Sequence, residues 1–178
     1  MSDISHWVVR WLCHDMATPI ASVMTASELL DDDKPDAEIN ELIQSGAQRL
    51  AGRLRLVRLA LGAGESAMAG APLGKLVMAG LDGTSVEWEF VGDATDGMAP
   101  LVAGRAMLVA DLNRMRSLRV TLDGVEVAQG CNWPDSVAAV FAGAPASDNR
   151  SAVAGMISDA AARAGKTLSC DGKGLRWA

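Results

Sequence analysis

The sequence predicts an α+β protein with a helical hairpin in front. Three features predict it: two long early stretches with apolar residues at three-and-four spacing, a break rich in Gly and Ala after residue 61, and a second half that mixes helical periodicity with short alternating runs.

From Ile4 onward, Trp7, Val8, Trp11 and Leu12 fall on one helical face, and the pattern resumes through Val23, Met24, Leu29 and Leu30. The acids and proline of Asp31-Asp32-Asp33-Lys34-Pro35-Asp36 stop this helix, and Asp36 can cap the next. A second helix is predicted over 37–61, with Ile39, Leu42, Ile43, Leu50, Leu54, Val57 and Leu61 as its stripe. Arg49, Arg53, Arg55 and Arg58 decorate the remainder as a solvated face, or else a contact for an acidic partner. Residues 62–72 read as a boundary between a unit over 1–64 and another over 72–178. The second unit opens with a short helix over 73–81. Val86 to Val91 alternate like a strand with one wet face. A helix over 102–115 follows, then strands over 118–122 and 125–128 around Asp123-Gly124, a two-residue hairpin signal. A helix over 151–164 and a last strand, over 166–170 or 175–177, complete a small layered unit with an antiparallel sheet. A two-helix hairpin cannot enclose a core by itself. Pairing with a second copy into a four-helix bundle is the expected remedy, and packing on its own C-terminal half is the alternative.

Composition narrows the function. Of 178 residues, 49% are apolar and 21% charged, enough for a real core, and aromatics are only 4%, which suits close helix packing. A net charge of −6 argues against phosphate-neutralising binding of nucleic acid. Cys13, Cys131 and Cys170 are odd in number and far apart, as in a reducing compartment, and Cys13 is expected to be a buried thiol. No signal peptide and no run of about 18 apolar residues occurs, so the expectation is a cytoplasmic protein without a membrane span.

Chemistry concentrates in Cys13-His14-Asp15-Met16-Ala17-Thr18-Pro19-Ile20. At 100° per residue, His14 lies roughly 100° from the centre of the apolar stripe, at the solvent edge. Pro19 has no N–H, so the Asp15 carbonyl loses its helical donor, at a cost of about 3 kcal/mol that other contacts must offset. His6 has no such neighbours and reads as structural.

This octapeptide resembles the phosphoacceptor box of bacterial two-component sensor kinases, with His14, Asp15, Thr18 and Pro19 filling all four of its positions. The family's layout, a dimerisation and phosphotransfer hairpin followed by an ATP-binding domain, matches the whole chain in outline. The departure lies in the second unit. The helix over 102–115 offers a single Asn, Asn113, where an Asn-rich helix would hold Mg²⁺. Asp171-Gly172-Lys173-Gly174 and Asp93-Ala94-Thr95-Asp96-Gly97 do not supply the D-x-G-x-G nucleotide loop, and no other phosphate-cradling glycine motif occurs. An intact histidine box with an eroded nucleotide domain is similar to the ChpT-type histidine phosphotransferases of alphaproteobacteria.

That resemblance implies a homodimer whose four-helix bundle carries two His14 phosphoacceptors, flanked by degenerate kinase ATPase-like α/β sandwiches. It implies relay of a phosphoryl group between response-regulator receiver domains, fed by an upstream hybrid histidine kinase. The chain would bind no ATP and no metal of its own, with Mg²⁺ arriving on the receiver. His14 would be the nucleophile, Asp15 the partner of the imidazole, Thr18 the group orienting phosphate or water, and Pro19 the shaper of the helix. The rival readings are a non-catalytic scaffold that sequesters a regulator and a kinase with a divergent ATP site.

Overall fold

The computed structural model describes residues 3–30, 37–95, 97–113 and 117–177. Helix α1, Asp3–Glu28, and helix α2, Ala37–Ala60, match the two predicted early helices. The expected turn and Asp36 cap between them lie outside the described residues. Val23 sits against Gly46 and Asp15 against Arg53, so α2 returns antiparallel to α1.

After the hairpin come strand β1, Met68–Ala69, helix α3, Gly70–Gly80, strand β2, Ser85–Trp88, and strand β3, Asp93–Ala94. Helix α4, Met98–Asn113, precedes strands β4, Ser117–Val120, and β5, Gly124–Glu126. Helices α5, Asp135–Phe141, and α6, Asn149–Arg163, lead to strands β6, Leu168–Asp171, and β7, Gly174–Trp177. The larger sheet has the order β2-β4-β5-β7-β6. It is not wholly antiparallel as expected, because β2 and β4 run parallel across the α4 crossover. The Asp123-Gly124 hairpin joins β4 to β5 in antiparallel register. Both alternatives for the last strand form, and they pair with each other. The stretch 62–72 is not wholly featureless: Met68–Ala69 pairs with β3, and the first turn of α3 begins at Gly70.

Helix α4 is apolar nearly all round, and Ala99 to Ala110 are buried. It lies between the larger sheet and helices α2, α3 and α6. One charged residue interrupts this buried stretch. Arg105 is completely buried with its guanidinium carbon 3.1 Å from the Trp177 ring centroid, and none of its side-chain nitrogens has a hydrogen-bond partner.

The lower half of the hairpin is built into this core. Gly52 of α2 crosses α3 at Gly80. A Cβ on Gly52 would run into the Ala79 carbonyl oxygen, and one on Gly80 into Leu56. The buried face of α2 is therefore Gly52, Leu56, Val57, Leu59 and Ala60, while Leu42 and Leu54 of the expected stripe are exposed. Trp7 and Trp11 pack at the edge of the same core, as their spacing predicts. The hairpin thus packs on its own C-terminal half at its base, the alternative the sequence left open. Its upper half keeps Ile20, Met24, Leu29 and Leu42 exposed.

Candidate phosphoacceptor site

Helix α1 runs unbroken through Pro19, so the histidine box lies within one element. On the helical wheel Val8, Trp11 and Leu12 mark the inner side, His14 sits at its edge, and Cys13 lies nearly opposite. The structure agrees for His14, whose side chain is exposed and makes no hydrogen bond among the described residues. It corrects the expectation for Cys13, which is exposed because the turn that puts Trp11 and Leu12 inward puts Cys13 outward. Thr18, one turn after His14, is exposed too, and its carbonyl accepts a hydrogen bond from Ser22 Oγ at 3.1 Å. His6 is exposed two turns earlier.

Asp15 falls on the inner side, and an ionised carboxylate there requires a partner. Arg53 supplies it. Its Nε donates to Asp15 Oδ2 at 2.7 Å and its Nη2 to Asp15 Oδ1 at 3.1 Å, a two-pronged grip. The same Nη2 donates to Asp111 Oδ2 of α4 at 2.6 Å. Trp11 lies 5.8 Å from the guanidinium carbon and covers it. Burial disfavours the charge on Arg53, but Asp111 and Asp15 outweigh it and hold the guanidinium above its ordinary value. Burial pushes the Asp111 carboxyl up, against the pull of Arg53 and with the charge of Asp15 adding to the rise.

Asp15, Arg53 and Asp111 line a groove of about 320 Å³ between the hairpin and the second half, together with Pro19, Arg49 and Asp82. Arg49 Nε pairs with Asp82 Oδ2 at 2.9 Å, both side chains being more than half exposed. The four arginines of α2 are therefore not one solvated face. Arg49 and Arg53 both pair with acids, Arg53 half-buried and Arg49 at the surface, while Arg55 and Arg58 are exposed. The sequence nominates Arg53 only as one of four alike arginines, and it does not nominate Asp111 at all. The signal that finds Arg53 is its place three and four residues before Leu56 and Val57, on the face α2 buries.

The two weak candidates for a nucleotide loop have other structural work or fall partly outside the described residues. Asp171 Oδ1 accepts from the backbone N–H of Lys173 at 2.7 Å and of Gly174 at 3.0 Å, closing the β6–β7 turn. Of the other candidate, 93–97, residue 96 lies outside the described residues. Asn113 Oδ1 accepts from the Asn132 backbone N–H at 2.8 Å, tying the end of α4 to the loop before α5. Among the described residues no cluster of three or more His, Cys, Asp or Glu side chains could hold a metal ion.

Among solved structures, the fold superposes on a bacterial phosphotransferase with a TM-score of 0.76 at 20% identity, covering 99% of this chain and 96% of that one. Among curated proteins, 65 residues are 36% identical to protein phosphotransferase ChpT of Brucella abortus (strain 2308). The chain is similar to ChpT-type phosphotransferases. The aligned stretch is 36% of this chain and spans about a third, 31%, of the Brucella ChpT. No family model matches the sequence. An α+β body carries the histidine box on its first long helix, and no helix of the described residues is long and apolar enough to cross a membrane.

Proposed function

We propose that this protein is a phosphohistidine relay: His14 takes a phosphoryl group from the acyl phosphate of one response-regulator receiver domain and passes it to the aspartate of another. The observation that carries this is an exposed imidazole, His14, within the complete His14-Asp15-x-x-Thr18-Pro19 box, on a fold shared with a bacterial phosphotransferase. In the first transfer a ring nitrogen attacks phosphorus, the N–P bond forms as the donor P–O bond breaks, and the donor carboxylate leaves. The second transfer reverses this on a new carboxylate. Such reactions depend on positioning and charge compensation, so a bare, accessible ring on a rigid helix is a sufficient acceptor. Mg²⁺ would come with the receiver, upstream supply from a hybrid histidine kinase, and Thr18 would orient the phosphate. The relay needs no ATP site of its own.

We further propose that two copies associate through the upper hairpin. Met24, Leu29 and Leu42 are 56%, 62% and 57% exposed on helices whose bases are buried, apolar area that a two-fold partner would cover in completing a four-helix bundle.

The test is incubation with a panel of phosphorylated receiver domains followed by phosphopeptide mapping. Label should map to the peptide holding His14, and His14→Gln should abolish it without unfolding the protein, because the side chain is exposed. Label on another residue, or none from any receiver, defeats the relay.

A further inference from the structure

Asp15, Arg53 and Asp111 come from α1, α2 and α4, separated by 38 and 58 residues in sequence, and meet at the residue that follows His14 in the helix. The side chain of Arg53 is only 14% exposed and those of Asp15 and Asp111 are 25% and 28% exposed, so the three form a half-buried cluster rather than a surface pair. Arg53 alone would cancel the charge of Asp15. With an ionised Asp111 on the same Nη2, the cluster would carry one net negative charge.

We propose that Arg53 and Asp111 are positioning residues for phosphoryl transfer at His14, acting through Asp15. This rests on the reading of His14 as the acceptor. When a ring nitrogen of His14 binds phosphorus, the proton on the other nitrogen becomes more acidic and the ring gains positive charge. Asp15, the next residue in the helix, is the anion that compensates this charge. Arg53 occupies one lone-pair site on each Asp15 oxygen, so sites remain on both for the ring N–H or for a water that carries its proton away. Arg53 fixes the carboxylate's orientation, and Asp111 preserves the cluster's negative charge. The second half of the chain thereby contributes to the acceptor through α4, a role that requires no nucleotide.

The experiment uses phosphoramidate, a small donor that needs no receiver. A ring nitrogen attacks its phosphorus, the donor P–N bond breaks and ammonia leaves. His6, exposed on the same helix and without an arginine-held carboxylate beside it, is the internal reference. In the full-length protein, His14 should label faster than His6. Arg53→Met should lower the His14-to-His6 ratio roughly tenfold, part of the ~10²-fold that a positioned acid–base group supplies. Asp15→Asn should lower it at least as far, and the double variant no further than Asp15→Asn alone, because residues acting as one unit are not additive. Arg53→Lys should recover part of the loss, since a lysine grips a single oxygen, and Asp111→Asn should lower the ratio less than Arg53→Met. If Arg53→Met unfolds the protein, Arg53→Lys and Asp111→Asn carry the comparison. An unchanged ratio in the Arg53 variants, or losses that multiply in the double variant, overturns the proposal; an unchanged ratio in Asp111→Asn overturns the part assigned to α4. Normal ratios in this assay with no label from any phosphorylated receiver would defeat the relay alone.

Discussion

Arg105 is the least expected side chain of the fold, a cation in the middle of the most buried helix. Its stacking on Trp177 gives back part of the desolvation cost, about 2 kcal/mol for a well-placed buried pair. Its unpartnered nitrogens leave the rest uncompensated. Arg105→Met keeps the length and the aromatic contact while removing the charge, and we expect urea unfolding to show a gain of about 1–3 kcal/mol. Burial pushes the guanidinium down to about 9, Asp123 opposing. Above that pH the unfolded chain still holds a proton that the folded chain has released, so the Arg105 contribution makes stability rise with pH, and the benefit is lost as pH falls through about 9. Cys131 acts in the opposite sense. Burial pushes its thiol up to about 11, so its share is present below the ordinary thiol range and fades as pH rises through about 11. Subtracting the pH profile of Arg105→Met, which retains Cys131, from that of the native protein isolates the arginine. A flat difference between pH 8 and pH 10 would contradict this account of Arg105.

At the scale of elements, the hairpin's position is set where α2 crosses α3. The crossing works because Gly52 and Gly80 carry no Cβ. Gly52→Ala must push α2 off α3 or distort the Ala79 carbonyl, and overpacking of this kind costs about 1–3 kcal/mol, measurable as a lower urea midpoint. Because Arg53 follows directly, the same change should also lower phosphate acceptance at His14, a joint loss that a purely local defect would not give. Helix α6 depends on a different device. The Asp148 side chain accepts from the Ser151 N–H at 2.7 Å, and Ser151 Oγ accepts in return from the Asp148 N–H at 2.8 Å. Burial acts to raise the Asp148 carboxyl by favouring its protonated form, but the hydrogen bonds it accepts from Ser151, Ser136 and the Arg150 backbone together win and lower it. Its contribution is therefore present above the ordinary carboxylate range and lost as pH falls through its lowered value. Asp148→Ala should cost about 1 kcal/mol at neutral pH, and less in acid.

At the scale of the molecule, two groups of apolar side chains on the hairpin have different fates. Leu56, Val57 and Leu59 are consumed by the core of the same chain. Met24, Leu29 and Leu42 are exposed. Met24→Glu should therefore give a folded protein that sediments at the single-chain mass, while the native chain sediments at twice that mass in the micromolar range. A native monomer would remove the bundle and leave the His14 assignment standing, since His14 is exposed within a single copy.

The long helices, the β4–β5 hairpin and the His14-Asp15-x-x-Thr18-Pro19 string were legible in the sequence because each depends on neighbours a few residues away: three-and-four spacing, an Asp-Gly turn, a four-position string. Helix α5 and the short β1–β3 pair left too few residues for a period to register. The parallel pairing of β2 with β4 was invisible for another reason, since strand direction is fixed by how the α4 crossover packs. Even the inward side of α1 could be counted on a wheel, placing His14 at the edge and Asp15 among the apolar residues. What the sequence could not name was the partner of Asp15. Four arginines on α2 are chemically alike, and Asp111 lies 58 residues beyond the one that matters. Only the Gly52–Gly80 crossing, which turns Arg53 toward α4, decides that this arginine joins the Asp15 carboxylate to the second half of the chain, because a half-buried charge is held by whichever opposite charges the packing brings within hydrogen-bond reach.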